Sequence, residues 1–230
     1  MTLNETSNKK KTQSAISFGR KPMKTLFLFS TKKKRAPTMP HYTIRKATIN
    51  DAPLIAKAVA MAIGDETILH NYAGENYLEV FTTIAQTPNT QYSYTNALIA
   101  ETTNAQAIGV VIGYDGAKLH TLKQHTLKIV FDHTHHTPTI ADEADTDEFY
   151  IDTIAVLPQF RNNGIGQNLL KTICNEALSQ QHQRIGLIVD LTNPKAEKLY
   201  TSIGFKHIGY KTFFTHKMKH LQLQKQTTTT

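Results

Sequence analysis

Hydrophobic and polar residues along this chain alternate with two periods, one typical of strands and one of helices. Residues 41–47, with the sequence HYTIRKA, alternate with a period of two and predict the first strand. In residues 52–63 the apolar positions recur three and four residues apart, which predicts a helix. Thr48, with Asp51 three positions later, resembles a capping box at the start of this helix, and Gly64 suits its end.

The same two periods continue to the C-terminus. We expect further helices over residues 76–86, 116–131, 166–179 and 193–204. We expect further strands over residues 96–101, 107–114, 149–156, 184–191, 206–214 and 216–224. The order combines hairpins with a single strand–helix–strand crossover. It predicts an α+β fold around one mixed, mostly antiparallel central sheet flanked by helices, and not a doubly wound array.

The positive charge of the chain is concentrated at its N-terminus. The net charge is +8, but residues 1–40 carry ten Lys or Arg and one acid, and the rest carries 16 basic and 17 acidic residues. The globular part therefore lacks the basic excess of a nucleic-acid-binding domain. We expect a disordered basic leader over residues 1–39, a domain over 40–222 and a disordered tail over 223–230. Met39 is a candidate for the biological start of translation.

Cysteine content and hydropathy favour a cytoplasmic protein. Cys174 is the single cysteine, so no internal disulfide can form, and a reducing compartment is the simplest interpretation. No apolar run approaches the roughly 20 residues that a membrane helix needs. We therefore expect no membrane partner and no nucleic-acid partner.

A glycine-containing turn joins a predicted strand to a predicted helix. Arg161, Gly164 and Gly166 lie there, in the sequence LPQFRNNGIGQ. A helix N-terminus offers unpaired N–H groups and positive potential, and glycines let a phosphate approach the backbone closely. These residues predict a site for a diphosphate, with a plain loop carrying a surface Arg as the alternative. A dinucleotide site stays open because Asp190 ends the next strand, although Leu169 replaces the third glycine of that fingerprint.

The turn also carries a family resemblance. The sequence R161-N-N-G164-I-G166 after IDTIAV resembles the acyl-CoA motif of the GNAT N-acetyltransferase superfamily, Arg/Gln-x-x-Gly-x-Gly/Ala. The segment from Asn193 through Tyr200 to Gly204-Phe205 resembles the second signature of that family. The similarity covers about residues 42–65 and 96–215, and it leaves 66–95 and 115–147 as elaborations of this chain. It implies a GNAT-like fold and acetyl transfer from acetyl-CoA, the cosubstrate, to a primary amine in a ternary complex.

The resemblance also implies cofactor-binding positions. The backbone of Ile154, Ala155 and Val156 would pair with the pantetheine arm between two strands that splay apart. The side chain of Asn193 would contact the cofactor. The backbone N–H groups that would hold the pyrophosphate are those of Arg161, Asn162, Asn163, Gly164, Ile165 and Gly166.

Amine acetylation needs a neutral amine and a stabilised leaving thiolate. In the resembling motif the tyrosine that corresponds to Tyr200 points at the sulfur, so Tyr200 is the candidate general acid, with simple packing as the alternative. Glu148, Tyr150 and Asp152 share one face of their strand. Asp152 is the first candidate base and Glu148 the second, although Asp152 could equally be a structural acid, and the enzyme could capture the neutral amine without a base.

Several features are predicted to have no catalytic role. The spacing of His133, His135 and His136 fits no common zinc pattern, so we expect no metal. The acids between residues 142 and 148 could attract a cationic amine, but we expect a solvated loop. The acceptor stays open among a small amine, an amino-sugar antibiotic, a polyamine and a protein N-terminus, and the protein could be a monomer or a homodimer. The alternative functions are an acetyl-CoA sensor without turnover and a dinucleotide-binding enzyme.

Overall fold

The computed structural model describes residues 41–214 and 216–225, which contain one seven-stranded sheet and six α-helices. The strands are β1 (Tyr42–Lys46), β2 (Ala97–Thr102), β3 (Ala107–Asp115), β4 (Phe149–Val156), β5 (Arg184–Asp190), β6 (Lys206–Phe213) and β7 (His216–Gln224). The helices are α1 (Ala52–Ile63), α2 (Glu66–Ala73), α3 (Tyr77–Gln86), α4 (Leu119–Thr134), α5 (Ile165–Ser179) and α6 (Pro194–Thr201). This confirms the predicted α+β class.

The strand order across the sheet is β1-β2-β3-β4-β5-β7-β6. β4 and β5 are the one parallel pair among the described strands, and every other neighbouring pair is antiparallel. The helix α5 connects β4 to β5, as a parallel connection requires. The sheet is therefore mixed and mostly antiparallel, as the sequence predicts.

The hydrophobic core has two main parts, built from alternate residues of the same strands. Ile99 of β2 and Val110 of β3 pack with the apolar stripes of α1, α2, α3 and α4. Their neighbours Leu98 and Val111 pack in the other cluster, with α5. Because strand side chains alternate between faces, β2 and β3 are buried on both sides and hold the helical layers in place.

The parallel pair β4–β5 opens into a fork. The two strands pair only at Phe149↔Ile185 and Tyr150↔Gly186 within the described register. Beyond this point β4 stays paired with β3 as far as Val156, and β5 stays paired with β7 as far as Asp190. Each strand thus keeps its outer neighbour while the inner edges separate.

The structure differs from the sequence prediction in two stretches. Residues 66–73 form α2, which the prediction leaves without an element, and Asp65 caps this helix by accepting from the N–H of Ile68 at 3.0 Å. Leu223 and Gln224 belong to β7, as the predicted strand over residues 216–224 has them, and Gln224 pairs with Arg184, whereas the predicted tail begins at 223. The predicted leader and start at Met39, and residues 226–230 of the predicted tail, lie outside the described residues. No described helix has both the length and the apolar character needed to cross a membrane.

Candidate active site

The β4–β5 fork opens into a cavity of about 880 Å³. Ile154, Ala155 and Val156 of β4 line one side of it, and Ile188 and Val189 of β5 line the other. The turn before α5, the helix α6, the C-terminal part of α1 and the β6–β7 hairpin complete its walls. The separation of the two strands thus coincides with this cavity.

The N-terminal end of α5 faces this cavity. Gly164 is the N-cap in a left-handed conformation, with φ of 75°, and no described side chain caps the helix. The first intrahelical bond runs from the N–H of Asn168 to the carbonyl of Gly164 at 3.0 Å, so the amides of residues 165–167 precede the helical ladder. A Cβ atom at Gly164 would meet no atom within 4 Å. This helix end therefore has amides and room to offer an anion.

The turn before α5 contributes fewer amides than predicted. The N–H of Arg161 donates to the carbonyl of Pro158 at 3.3 Å, so this amide is already committed. The Arg161 Nε donates to the carbonyl of Val156 at 3.0 Å, which holds the guanidinium against the end of β4. Asn163 is not among the cavity-lining residues, and its side-chain Nδ2 donates to the carbonyls of Phe160 and Arg161. Asn163 shapes the turn, whereas Asn162, Gly164, Ile165 and Gly166 line the cavity.

The three predicted positions on β4 differ in the direction in which their backbone N–H and C=O groups point. The N–H of Leu157 donates to the carbonyl of Ile108 on β3 at 2.9 Å. In an antiparallel pair, alternate residues turn their backbone groups away from the partner strand. Ile154 and Val156 therefore direct theirs toward the fork, while those of Ala155 face β3. Within the predicted stretch 154–156, the backbone groups open to an added strand are thus those of Ile154 and Val156.

Asn193 and Tyr200 are positioned by the short helix α6. The Asn193 side chain caps this helix by accepting from the N–H of Ala196 at 3.1 Å, so its oxygen is engaged and its NH₂ group is left for a ligand. Tyr200 is 8% exposed, lines the cavity and packs on Phe205. Burial raises the pKa of the Tyr200 phenol to about 12. Within the described part of the chain, no protein group hydrogen bonds to this hydroxyl.

Asp152 lies on the cavity wall in a network that the sequence does not reveal. Its carboxylate accepts from the Tyr114 hydroxyl and from the Thr153 hydroxyl, each at 2.9 Å. Burial raises the pKa of Asp152 to about 6. Tyr114 also contacts Glu143 Oε1 at 3.2 Å. Asp152 and Glu143 are therefore coupled through one buried tyrosine.

Glu143 overturns the prediction of a solvated acidic loop. It is 3% exposed and lines the cavity, and Gln91 Nε2 donates to its Oε1 at 3.1 Å. Its other oxygen, Oε2, is buried without a hydrogen-bond partner. Burial first, and then the charge of Asp152, raises the pKa of Glu143 to about 8. An acid in a loop is recognisable as a site residue only once its distant contacts are known.

Glu148 does not reach the cavity, which corrects its prediction as a second candidate base. It is fully buried and is not among the lining residues. Its carboxylate accepts from Gln222 and from the N–H of Asp145, and His220 Nε2 lies 3.0 Å away. Glu148 and Asp152 share a strand face, but Glu148 precedes the fork, where β4 and β5 are still paired. It connects β4 to β7 across β5.

The same cluster is the one group of described residues with ligand atoms close enough for a metal. Atoms of Asp145, Glu148 and His220 lie within 4.8 Å of one another. Lys211 already donates to Asp145 at 2.6 Å, and Gln222 donates to Glu148 at 3.0 Å. Protein donors thus supply the positive partners that a cation would provide, and we assign this cluster a structural role.

Replacing Gly186 with Ala tests that structural role. An ideal Cβ at Gly186 would lie 1.9 Å from Glu148 Oε2, and this carboxylate cannot move without breaking its buried hydrogen bonds. We expect the free energy of unfolding to fall by about 3 kcal/mol. Gly209→Ala, where a Cβ meets nothing within 4 Å, is the control and should change it by less than about 0.5 kcal/mol. Urea unfolding measures both; equal stability of the two variants would contradict the packing described.

Comparison with known proteins gives the chain a family. The sequence profile of the acetyltransferase (GNAT) family matches residues 69–205. The chain belongs to this family. The GNAT match runs through residues 69–95 and 115–147, which the sequence analysis treats as elaborations of this chain. The matched region includes α3 and α4, which pack in the core with the sheet. The dinucleotide alternative is thereby set aside.

Solved structures agree with the GNAT assignment. The chain is similar to a crystal structure of an acetyltransferase, with 29% identity and a TM-score of 0.67, over 79% of this chain and 98% of that one. It is similar to an N-acetyltransferase from Staphylococcus aureus Mu50, with 28% identity and a TM-score of 0.68, over 79% and 100% of the two chains. A NatC complex bound to Gag peptide and CoA shares the fold at 15% identity and a TM-score of 0.50, over 81% and 99%. No curated protein matches the chain.

Membership of the GNAT family implies acetyl-CoA, and the residues of the cavity fit that cosubstrate. The open amides of α5 suit a diphosphate. Arg161, Lys195 and Lys198 add three cations to the cavity lining, and the two lysines come from α6, where the sequence analysis assigns no cofactor contact. The unpaired edge of β4 offers backbone groups to the amides of a pantetheine arm.

Proposed function

We propose that this chain transfers the acetyl group of acetyl-CoA directly to a primary amine in a ternary complex. The observation that carries the proposal is the fork between β4 and β5. The first residues of α5, Tyr200 and Asp152 all line this one cavity. In the proposed reaction they serve as the diphosphate anchor, the group for the leaving sulfur and the base.

Cofactor binding follows from the turn and the strand edge. The amides at the head of α5 hold the diphosphate, and Arg161 supplies charge beside it. The backbone groups of Ile154 and the N–H of Val156 bind the pantetheine amides as an added strand, since the Val156 carbonyl already accepts from Arg161. This arrangement directs the thioester into the fork, where an N–H group of this strand edge polarises the carbonyl as it becomes tetrahedral.

The transfer conserves atoms and charge. Asp152 takes a proton from the ammonium of the acceptor, and the neutral nitrogen attacks the thioester carbon. The tetrahedral intermediate collapses, the carbon–sulfur bond breaks and the electron pair leaves with the CoA sulfur. The nitrogen loses its second proton, which passes through solvent to the CoA sulfur and gives the thiol, and Asp152 releases the first proton to solvent. The products are an acetylated amine, CoA and one proton for each ammonium consumed.

The pH dependence of catalysis tests the assignment of Asp152. Burial raises the pKa of this carboxyl to about 6, and its protonated form cannot accept a proton. We therefore expect the slope of log kcat/KM for the amine against pH to steepen by one unit below about pH 6, because the ammonium is the form that binds. A shallower fall that begins near pH 8 belongs to the neighbouring Glu143, whose pKa is about 8. Stopped assays of CoA release between pH 5 and 7.5 measure the profile. Asp152→Asn should lower kcat/KM about 100-fold and remove the steepening.

Two outcomes would contradict this role. A profile that does not steepen below about pH 6 would mean that the enzyme captures the neutral amine and needs no base with the pKa of Asp152. Acetyl-CoA binding without CoA release for any of the amines tried would instead support a sensor that binds the cofactor without turnover.

A further inference from the structure

Among the described residues that line the cavity, one buried side-chain oxygen has no hydrogen-bond partner. Glu143 Oε2 is buried and has no hydrogen-bond partner, although the other oxygen of the same carboxyl contacts both Gln91 and Tyr114. An unsatisfied buried oxygen is costly, so native proteins retain few of them. Glu143 also lines the cavity, which gives this oxygen a potential partner in a bound molecule.

Resting on the proposed function, we propose that Glu143 receives the ammonium group of the acceptor beside Asp152, and that the acceptor is a singly charged amine with an apolar body. Gln91 and Tyr114 hold the carboxyl in place through Oε1. Oε2 is thereby left to accept a charge-assisted hydrogen bond from the ammonium. Tyr114 joins Glu143 to Asp152, so the ammonium lies next to the group that takes its proton.

The apolar body follows from the surroundings of the two carboxyls. Tyr92 borders the same cavity, and its hydroxyl lies 3.1 Å from that of the buried Tyr72. Tyr72 packs on Phe214, at the end of β6, with ring centroids 5.9 Å apart. Phe213, Phe214, Val59, Ile63 and Ile68 also line the cavity. Aromatic and aliphatic side chains thus line the cavity beside the two carboxyls, where they would bind an apolar substituent of the acceptor.

These walls disfavour a second charge on the acceptor. The remaining carboxylate among the described lining residues is Asp190, which already accepts from Thr192 and lies 3.7 Å from His216. A polyamine or an amino sugar would bring ammonium groups against apolar side chains, where burial of an unpaired charge is strongly unfavourable. The apolar walls of the cavity therefore favour an acceptor that carries a single positive charge.

The wild-type protein supplies the first test, with acetyl-CoA saturating. We expect kcat/KM for phenethylamine and hexylamine to exceed that for spermidine, kanamycin and a dipeptide at least 10-fold. A preference for spermidine, kanamycin or the dipeptide would overturn the substrate class while leaving acetyl transfer intact. An absence of both acetyl-CoA binding and CoA release would instead count against the proposed function.

Glu143→Gln supplies the second test, because it keeps the contacts to Gln91 and Tyr114 and removes the negative charge. At pH 9, above the Glu143 pKa of about 8, we expect KM for hexylamine to rise at least 10-fold, with the acetyl-CoA Kd within twofold of wild type. Glu75→Gln is the matched control, since Glu75 is 86% exposed and lies outside the cavity. An unchanged KM in a folded Glu143→Gln variant, or an equal rise in the control, would overturn the role of Glu143.

Discussion

Replacing Tyr200 with Phe is expected to lower kcat about 100-fold while leaving the acetyl-CoA Kd within a factor of two. The substitution removes one hydroxyl from a ring that is buried and packed on Phe205. Loss of a single preorganised donor to a developing negative charge typically costs a factor of about 100 to 1,000. Steady-state kinetics together with calorimetric titration of acetyl-CoA separate the two quantities.

The pKa of Tyr200 determines whether the phenol would protonate the leaving sulfur or only donate a hydrogen bond to it. An alkyl thiol such as cysteine titrates near about 8.5, and the Tyr200 phenol titrates at about 12. Complete proton transfer to the thiolate would therefore be uphill by about 5 kcal/mol at about 1.36 kcal/mol for each pKa unit. With this pKa Tyr200 stays protonated throughout the working range, and we propose that it stabilises the leaving sulfur as a hydrogen-bond donor.

Tyr210→Phe is the control for this substitution. Tyr210 lies on β6, is 52% exposed and is not among the cavity-lining residues, so its kcat should match wild type. If Tyr200→Phe also kept the wild-type kcat, Tyr200 would serve only to pack α6 against the sheet, and the leaving group would depart without this donor.

Replacing Gly164 with Asp is expected to weaken acetyl-CoA binding about 100-fold more than replacing it with Asn. Asn and Asp have nearly the same shape, and both tolerate the left-handed conformation found at this position. A Cβ there meets no protein atom within 4 Å. Two like charges about 4 Å apart near a protein surface repel by about 4 kcal/mol, enough for this loss even after screening.

The stability of the two Gly164 variants should not follow their affinity for acetyl-CoA. A carboxylate at a helix N-terminus is stabilising, so Gly164→Asp should unfold at the same or a higher urea concentration than Gly164→Asn. Binding that falls equally in both variants would point to a steric effect. Binding that is unchanged in both would place the diphosphate elsewhere.

The sequence predicts best the elements whose signal is local. β4 is predicted with its observed bounds because a long apolar strand is followed by a glycine-marked turn. α2 is missed because its pattern is short and lies between Gly64 and Gly74. A signal was available there, since Ile68, Leu69, Tyr72 and Ala73 mark one helical face beginning after a capping Asp65.

Local sequence patterns do not predict which candidate residues reach the cavity, because contacts between distant residues decide it. Strand alternation places Glu148 and Asp152 on one face, but the position of the fork decides which of them reaches the cavity. That position depends on His220 and Gln222 of β7, which hold Glu148 more than 70 positions away along the chain. The burial of Glu143 likewise depends on Gln91 and Tyr114, and no spacing in the sequence encodes those contacts.

The central claim is that the amides at the head of α5 bind the diphosphate of acetyl-CoA. Calorimetric titration of the full chain with acetyl-CoA and with S-acetylpantetheine, which has the same thioester arm but no diphosphate, tests it most directly. We predict that acetyl-CoA binds at least 100-fold more tightly. Equal affinity for the two compounds, or no binding of acetyl-CoA, would contradict the account.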